Sequence, residues 1–149
     1  MTLKEKLISK CNDFALERKS HIDTQIEEIN EALFEEIKST AGDKHETGRA
    51  MLQMEREKVG NQFKEVEEMI KTLRKVDISS PSSIVHLGSI VFTSKANYFI
   101  AISAGQIKIG NEEFYAISSS TPIGKILMSK AVGDEVVFRD QKFIIEKIM

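Results

Sequence analysis

Apolar positions in the first half of the chain recur at helical spacing. Leu52, Val59, Val66 and Leu73 fall every seven residues, with Phe63 and Ile70 between them at alternating four and three. That spacing is the seam of a coiled coil. An earlier stripe, Ile22, Ile26, Ile29, Leu33 and Ile37, has a similar period and extends backwards less regularly through Ala15, Cys11 and Leu7. From Leu3 to Val76 there is no proline, and glycine occurs only at Gly42, Gly48 and Gly60. Between the stripes lies the short, turn-like run Ser39-Thr40-Ala41-Gly42-Asp43. The two stripes can meet only if the chain doubles back as an antiparallel pair. Residues 1–77 are therefore predicted to form a helical hairpin with its tip near 40–48. Arms of about 30 to 37 residues would give a rod about 45 to 55 Å long at about 1.5 Å per residue.

The period then changes. Asp77-Ile78-Ser79-Ser80-Pro81-Ser82-Ser83 replaces charged helix formers with proline and small polar residues, and 78–86 reads as a linker. Beyond it, GSIVFTSK, NYFIAISA, QIKIG, EFYAIS, EVVFR and KFIIEKI are short β-branched and aromatic runs punctuated by glycine or asparagine. They predict strands of an antiparallel sheet over 87–149. One helix is expected from Pro122 to Lys130, with Thr121 as N-cap, Pro122 in the first helical position, and Ile123, Ile126 and Leu127 facing the sheet. The fold class is α+β, with a second domain of about 65 residues, close to the lower limit for a self-sufficient core.

Composition narrows the function classes. Acids and bases nearly cancel, at a net charge of −2 over 149 residues. No strong overall field points to free nucleic acid or to an anionic membrane. No apolar run suits a signal peptide or a bilayer span, and the single Cys11 sits in a helical pattern where packing explains it, so a reduced cytoplasmic setting is expected. There is no set of nucleophile, base and orienting group, no glycine-rich phosphate loop and no Cys/His cluster, which argues against an independent enzyme.

Candidate chemistry is confined to two places. At the hairpin tip, Asp43 and Glu46 stand three residues apart where a helix begins, which is a capping-box spacing and also places two carboxylates on one side. His45 lies between them, but Mg²⁺ prefers oxygen, and His21 and His86 fall elsewhere. Lys44, Arg49 and Arg56 make the neighbourhood locally basic, suited to phosphate contact or to pairing with Glu35 or Glu36. The second place is Ser118-Ser119-Ser120-Thr121-Pro122, ahead of the expected short helix.

Two stretches resemble the Gre-type bacterial transcription elongation factors, which promote transcript cleavage. Thr121-Pro-Ile-Gly-Lys-Ile-Leu-Met-Ser-Lys-Ala-Val-Gly-Asp134 is similar to that family's pattern of Ser-Pro, an aliphatic, a small residue, two more aliphatics, Gly-Lys and then Gly-Asp ahead of a late strand. Thr121 stands for the serine and Ser129 for the glycine, while Pro122, Lys130, Gly133 and Asp134 fall in register. Gly42-Asp43-Lys44-His45-Glu46 is similar to the family's Gly-Asp-x-x-Glu. The family then continues Asn-Ala-Glu-Tyr, where this chain has Thr47-Gly48-Arg49-Ala50.

The resemblance implies an FKBP-like C-terminal domain that serves for docking and not for prolyl isomerisation. It implies a hairpin that enters the secondary channel of RNA polymerase and stimulates cleavage of backtracked RNA. The protein would then be an activator of the polymerase's own cleavage activity, meeting DNA only within the elongation complex. By position, Asp43 and Glu46 would ligate Mg²⁺ shared with the polymerase, with no cofactor held stably. Lys44, Arg49 and Arg56 would hold the RNA 3′ end, and Ser119, Ser120, Thr121 and Pro122 would dock on the polymerase. A channel-binding regulator without cleavage, and a coiled-coil adaptor for another partner, share the body plan.

Overall fold

The computed structural model describes residues 1–38, 43–79 and 82–149, without the side chains of residues 38 and 43–46. The elements are α1 (Leu3–Lys38), α2 (Asp43–Lys75), β1 (Ile90–Thr93), β2 (Asn97–Ile100), β3 (Gly105–Ile109), β4 (Glu112–Ile117), α3 (Pro122–Leu127), β5 (Glu135–Phe138) and β6 (Gln141–Ile148). This is the α+β arrangement that the two periodicities require, with a long helical hairpin preceding a small sheet and one short helix. Contacts group Ala15–Met69 into one compact unit and Met1–Phe14 with Ile70–Met149 into another.

In the hairpin unit the seam is occupied as the sevenfold spacing demands. Ala15, Ile22, Ile29, Val59 and Val66 are buried, while Ile26, Leu33, Leu52 and Phe63 are half-buried. Burial of each such aliphatic side chain contributes about 1.5–3 kcal/mol, so the seam holds the arms together more than helix propensity does. Two contacts fix the direction. The Lys19 ammonium lies 5.9 Å from the centre of the Phe63 ring, and the Glu36 carboxylate lies against Gly48. Advancing along α1 from Lys19 to Glu36 is thus matched by retreat along α2 from Phe63 to Gly48, as antiparallel helices require. Towards the end of α1 and the start of α2 the seam opens: Ile37 is 59% exposed, and Phe34, Met51 and Met54 are also exposed.

In the other unit the strands form one sheet in the order β3-β4-β2-β1-β6-β5. Five pairings join them, and four are antiparallel; β2 and β4 run parallel, through Tyr98↔Tyr115, Phe99↔Ala116 and Ile100↔Ile117. The wholly antiparallel sheet expected from the strand runs is therefore corrected at one place. The reason lies in the path of the chain. After β2 the chain passes one position outward before β3, and the β3–β4 hairpin brings β4 back into the gap, running in the same sense as β2.

Successive residues are buried in both central strands, Ile90 with Val91 and Phe99 with Ile100. Side chains alternate across a sheet, so both faces of its middle are covered. One face carries Val91, Ile100, Val136, Phe143 and Ile145, with Leu127 of α3 and Val85 packed into the same cluster. Leu7, Cys11 and Leu73 are also buried in this unit, and Val76 presses on Gly88, where a Cβ would stand 2.8 Å from Val76 Cγ1. The segment read as a linker joins the unit from Ile84 onward: Ile84 bridges Ala131, and Val85 N–H donates to the Lys130 carbonyl at 2.8 Å.

Candidate functional site

The tip and the α3 loop belong to different compact units. At the tip, Asp43 is the first residue of α2, followed in the same turn by Lys44, His45 and Glu46. The side chains of these four residues, and residues 39–42 altogether, lie outside the described residues, as does the capping-box geometry proposed for Asp43 and Glu46. Further along α2, Arg49 is exposed and Arg56 is half-buried. Their spacing of seven residues puts both on nearly the same face of the helix. Arg56 folds over Gly60, where an added Cβ would lie 3.1 Å from Arg56 Nη1. It lines a groove shared with Asp23, Gln53 and Lys64, so its cationic surroundings are interleaved with acids.

The α3 loop is fully described. Thr121 is the N-cap of α3, its Oγ1 accepting from Gly124 N–H at 3.1 Å while donating to the Ser118 carbonyl at 2.7 Å. Pro122 takes the start of the helix, where its missing N–H costs nothing. Ser118 Oγ and Ser120 Oγ are 2.8 Å apart, and Ser120 N–H donates to Ser118 Oγ at 3.2 Å. Ser118 N–H in turn donates to Ser103 Oγ at 3.2 Å, tying the loop to the segment after β2. Ser119 is half-buried, and Ser120 and Pro122 face solvent. The expected cap and helix start are as read from sequence, but α3 ends at Leu127, three residues before Lys130.

That early stop has a cause. Met128 N–H closes on the Gly124 carbonyl at 3.0 Å, and Ser129 adopts φ +67°, a left-handed conformation that favours glycine. The turn lets Ser129 N–H reach the Val85 carbonyl at 2.9 Å, and the Lys130 carbonyl accept from Val85. Further on, Asp134 Oδ2 accepts from Ala131 N–H at 2.8 Å, while Asp134 N–H donates back to the Ala131 carbonyl at 3.1 Å. Gly133 sits inside that turn at φ +92°. In the sequence Thr121 and Pro122 stand out, whereas Gly124 is no more than a small residue between aliphatics. Its tight approach to Ser118 has no signal in periodicity or charge.

Among the described residues, three groups have displaced titration, all in the sheet-containing unit. Burial pushes the Cys11 thiol up to about 12. Burial, and then the neighbouring Tyr115, raise the Tyr98 phenol. Burial lowers the Lys4 ammonium, partly offset by Asp77. Cys11 is therefore held as a thiol and suits packing better than reaction. Among the described residues, no group of three His, Cys, Asp or Glu side chains could hold a metal ion, and no helix is long and apolar enough to cross a membrane.

Fold and loop together define a helical hairpin joined to a six-stranded mixed sheet with a capped short helix. A solved structure of the transcription factor Gfh1 is similar to this chain with a TM-score of 0.35 and 18% identity, covering 90% of each chain. No protein-family model matches the sequence, and comparison with curated proteins gives no match.

Proposed function

We propose that the chain is a Gre-like elongation factor that binds RNA polymerase and presents the acidic hairpin tip at the start of α2 to its secondary channel, stimulating cleavage of backtracked RNA. The supporting observation is that two features occur in one chain. A pair of antiparallel helices of 36 and 33 residues has Asp43 and Glu46 in the first turn of the second helix, and the Thr121–Asp134 pattern lies on a hydrogen-bonded loop, cap and turn. Asp43 and Glu46 offer hard oxygen donors, the chemistry Mg²⁺ requires when it keeps several waters and takes one or two carboxylates. When bound, the ion supplies charge neutralisation for phosphoryl displacement at the polymerase's own site. Arg49, Arg56 and Lys44 would contact phosphates of the extruded RNA 3′ segment, while Ser119, Ser120, Thr121 and Pro122 would form the docking loop. The chain itself is then an activator and not an enzyme.

A second reading is a channel-binding regulator without cleavage. It draws on Thr47-Gly48-Arg49-Ala50, which replaces the family's residues after the acidic pair, and on Gly48, which supplies no side chain where the arms close on Glu36. The test is RNA cleavage by reconstituted, backtracked polymerase with Mg²⁺, comparing wild type with a folded Asp43→Ala/Glu46→Ala double variant. Stimulation lost in the variant supports metal delivery. Binding without stimulation selects the regulator. Absence of polymerase binding removes both and leaves the adaptor.

A further inference from the structure

Near the start of α1 the stripe through Leu7 and Cys11 is fully buried, and Lys4 continues it, three residues before Leu7 and seven before Cys11. A cation thus stands where the pattern calls for an aliphatic side chain. Lys4 is 8% exposed, and among the described residues no hydrogen bond or ion pair reaches its ammonium. Asp77 acts on it only as a nearby charge; the Asp77 Oδ1 itself accepts from Ser79 N–H at 2.9 Å and Ser79 Oγ at 2.8 Å. No side-chain nitrogen among the described residues is both sealed from solvent and unpaired. The unpaired tip of Lys4 therefore keeps an opening.

Lys4 lines a cleft of about 710 Å³. Its apolar walls are Leu3 from the first turn of α1, Ile78 from the segment after α2, and Ile148 and Met149 at the end of the sheet. All of these residues belong to the sheet-containing unit. Ile78 and Met149 leave 47% and 39% of their surface open, so the walls offer apolar area to a ligand. An amine among apolar walls, with no anion in contact, is poorly solvated as an ammonium, and its neutral, nucleophilic form is favoured. Burial lowers the Lys4 ammonium accordingly, against the raising effect of Asp77.

We infer that Lys4 is a covalent modification site for aliphatic aldehydes, its amine forming an imine while the alkyl chain lies along Leu3, Ile78 and Ile148. The lone pair of the neutral amine attacks the carbonyl carbon, and the π pair of the carbonyl moves to oxygen. A proton passes from nitrogen to that oxygen, giving a carbinolamine. The nitrogen lone pair then forms the C=N bond as hydroxide leaves, and the remaining N–H proton joins the hydroxide as water. One amine and one aldehyde give one imine and one water, with no oxidant or reductant. Selectivity has two sources. A neutral amine serves any aldehyde, whereas the cleft favours one with a chain to bury. Lys6, two residues further along α1, is exposed and has neither advantage.

The test incubates the full chain at neutral pH with octanal or with acetaldehyde. Sodium cyanoborohydride traps each imine as an amine, and peptide mass spectrometry measures labelling at each lysine. With octanal, Lys4 should be labelled about tenfold faster than Lys6, the effect of burying about two methylenes of the chain. With acetaldehyde that preference should fall several-fold, and in the urea-unfolded chain it should vanish. Ile78→Asp, at an exposed position and with the fold checked by circular dichroism, should reduce the octanal preference to the acetaldehyde level. Labelling of Lys4 no faster than Lys6 would overturn the inference. So would a preference equal for the two aldehydes, or one untouched by Ile78→Asp, because the cleft would then play no part.

Discussion

Gly124 stands so close to the Ser118 carbonyl that a Cβ on it would overlap that oxygen and come within 2.8 Å of Thr121 Oγ1. The cap, the Ser118–Ser120 hydroxyl pair and the start of α3 are therefore one closed unit. Its geometry depends on the absence of a single methyl group.

Gly124→Ala should destabilise the protein, against the usual gain of about 1 kcal/mol when glycine in a helix becomes alanine. The added carbon meets backbone, which cannot yield as a flexible side chain would. A loss of about 1–3 kcal/mol is expected from such overpacking. Urea denaturation followed by circular dichroism measures it. Under the proposed function, polymerase binding should weaken in parallel, because the loop carrying Ser119 to Pro122 must move; binding unchanged in a destabilised variant would dissociate this loop from docking.

Gly60→Ala should have the opposite sign. The new Cβ would lie 3.1 Å from Arg56 Nη1, the far end of a flexible side chain that can swing away. Helix propensity then decides, and the hairpin should gain about 0.5–1 kcal/mol. A loss of stability in the same denaturation experiment would mean that the Arg56 position itself supports the hairpin.

Ser129→Gly should stabilise the turn after α3. Ser129 holds φ +67° with its N–H committed to the Val85 carbonyl. Relief of the left-handed conformation is worth about 1 kcal/mol, reduced by the greater freedom of glycine in the unfolded chain. Thermal unfolding of wild type and variant compares the two terms directly, and a lower melting temperature would show the entropic term to be the larger.

The buried Cys11 thiol predicts a pH dependence. Its folded value of about 12 lies above the ordinary 9.0. Between these limits the unfolded chain has lost the proton while the folded chain retains it, so stability falls as pH rises. The contribution is fully present below about pH 9 and declines towards pH 12, with a slope approaching 1.4 kcal/mol per unit for a single fully displaced group. Tyr98 acts in the same direction, so the clean comparison is wild type against Cys11→Ala, with stability measured from pH 8 to the highest pH at which unfolding stays reversible. The alanine variant should show the shallower decline. In the folded wild type, a thiol reagent at neutral pH should react only at the rate of opening; prompt reaction would contradict the burial.

The hairpin was legible because each helix writes its buried side at a fixed interval. Val59 and Val66 lie in the core where the sevenfold spacing puts them. The six strands were legible from β-branched runs between turn residues, and Thr121 and Pro122 announced a helix start because capping is local chemistry. The less regular stripe through Leu7 and Cys11 gave a weaker signal, yet both residues are fully buried. They belong to the unit that contains the sheet, whose demands a heptad count does not contain. The functional candidates divide similarly: the Thr121 cap follows from neighbours in sequence, whereas the role of Gly124 follows from the path of the Ser118 carbonyl.

By itself the sequence determined what nearest neighbours along the chain can settle: two antiparallel helices, six short strands, a capped α3, and two acids at the start of α2. Only the tertiary structure decided that β2 and β4 run parallel, that Val85 enters the sheet core from a segment whose composition reads as a linker, and that Ser129 occupies a glycine-like turn. Those outcomes depend on which distant backbone groups satisfy one another's hydrogen bonds. No local periodicity records that choice.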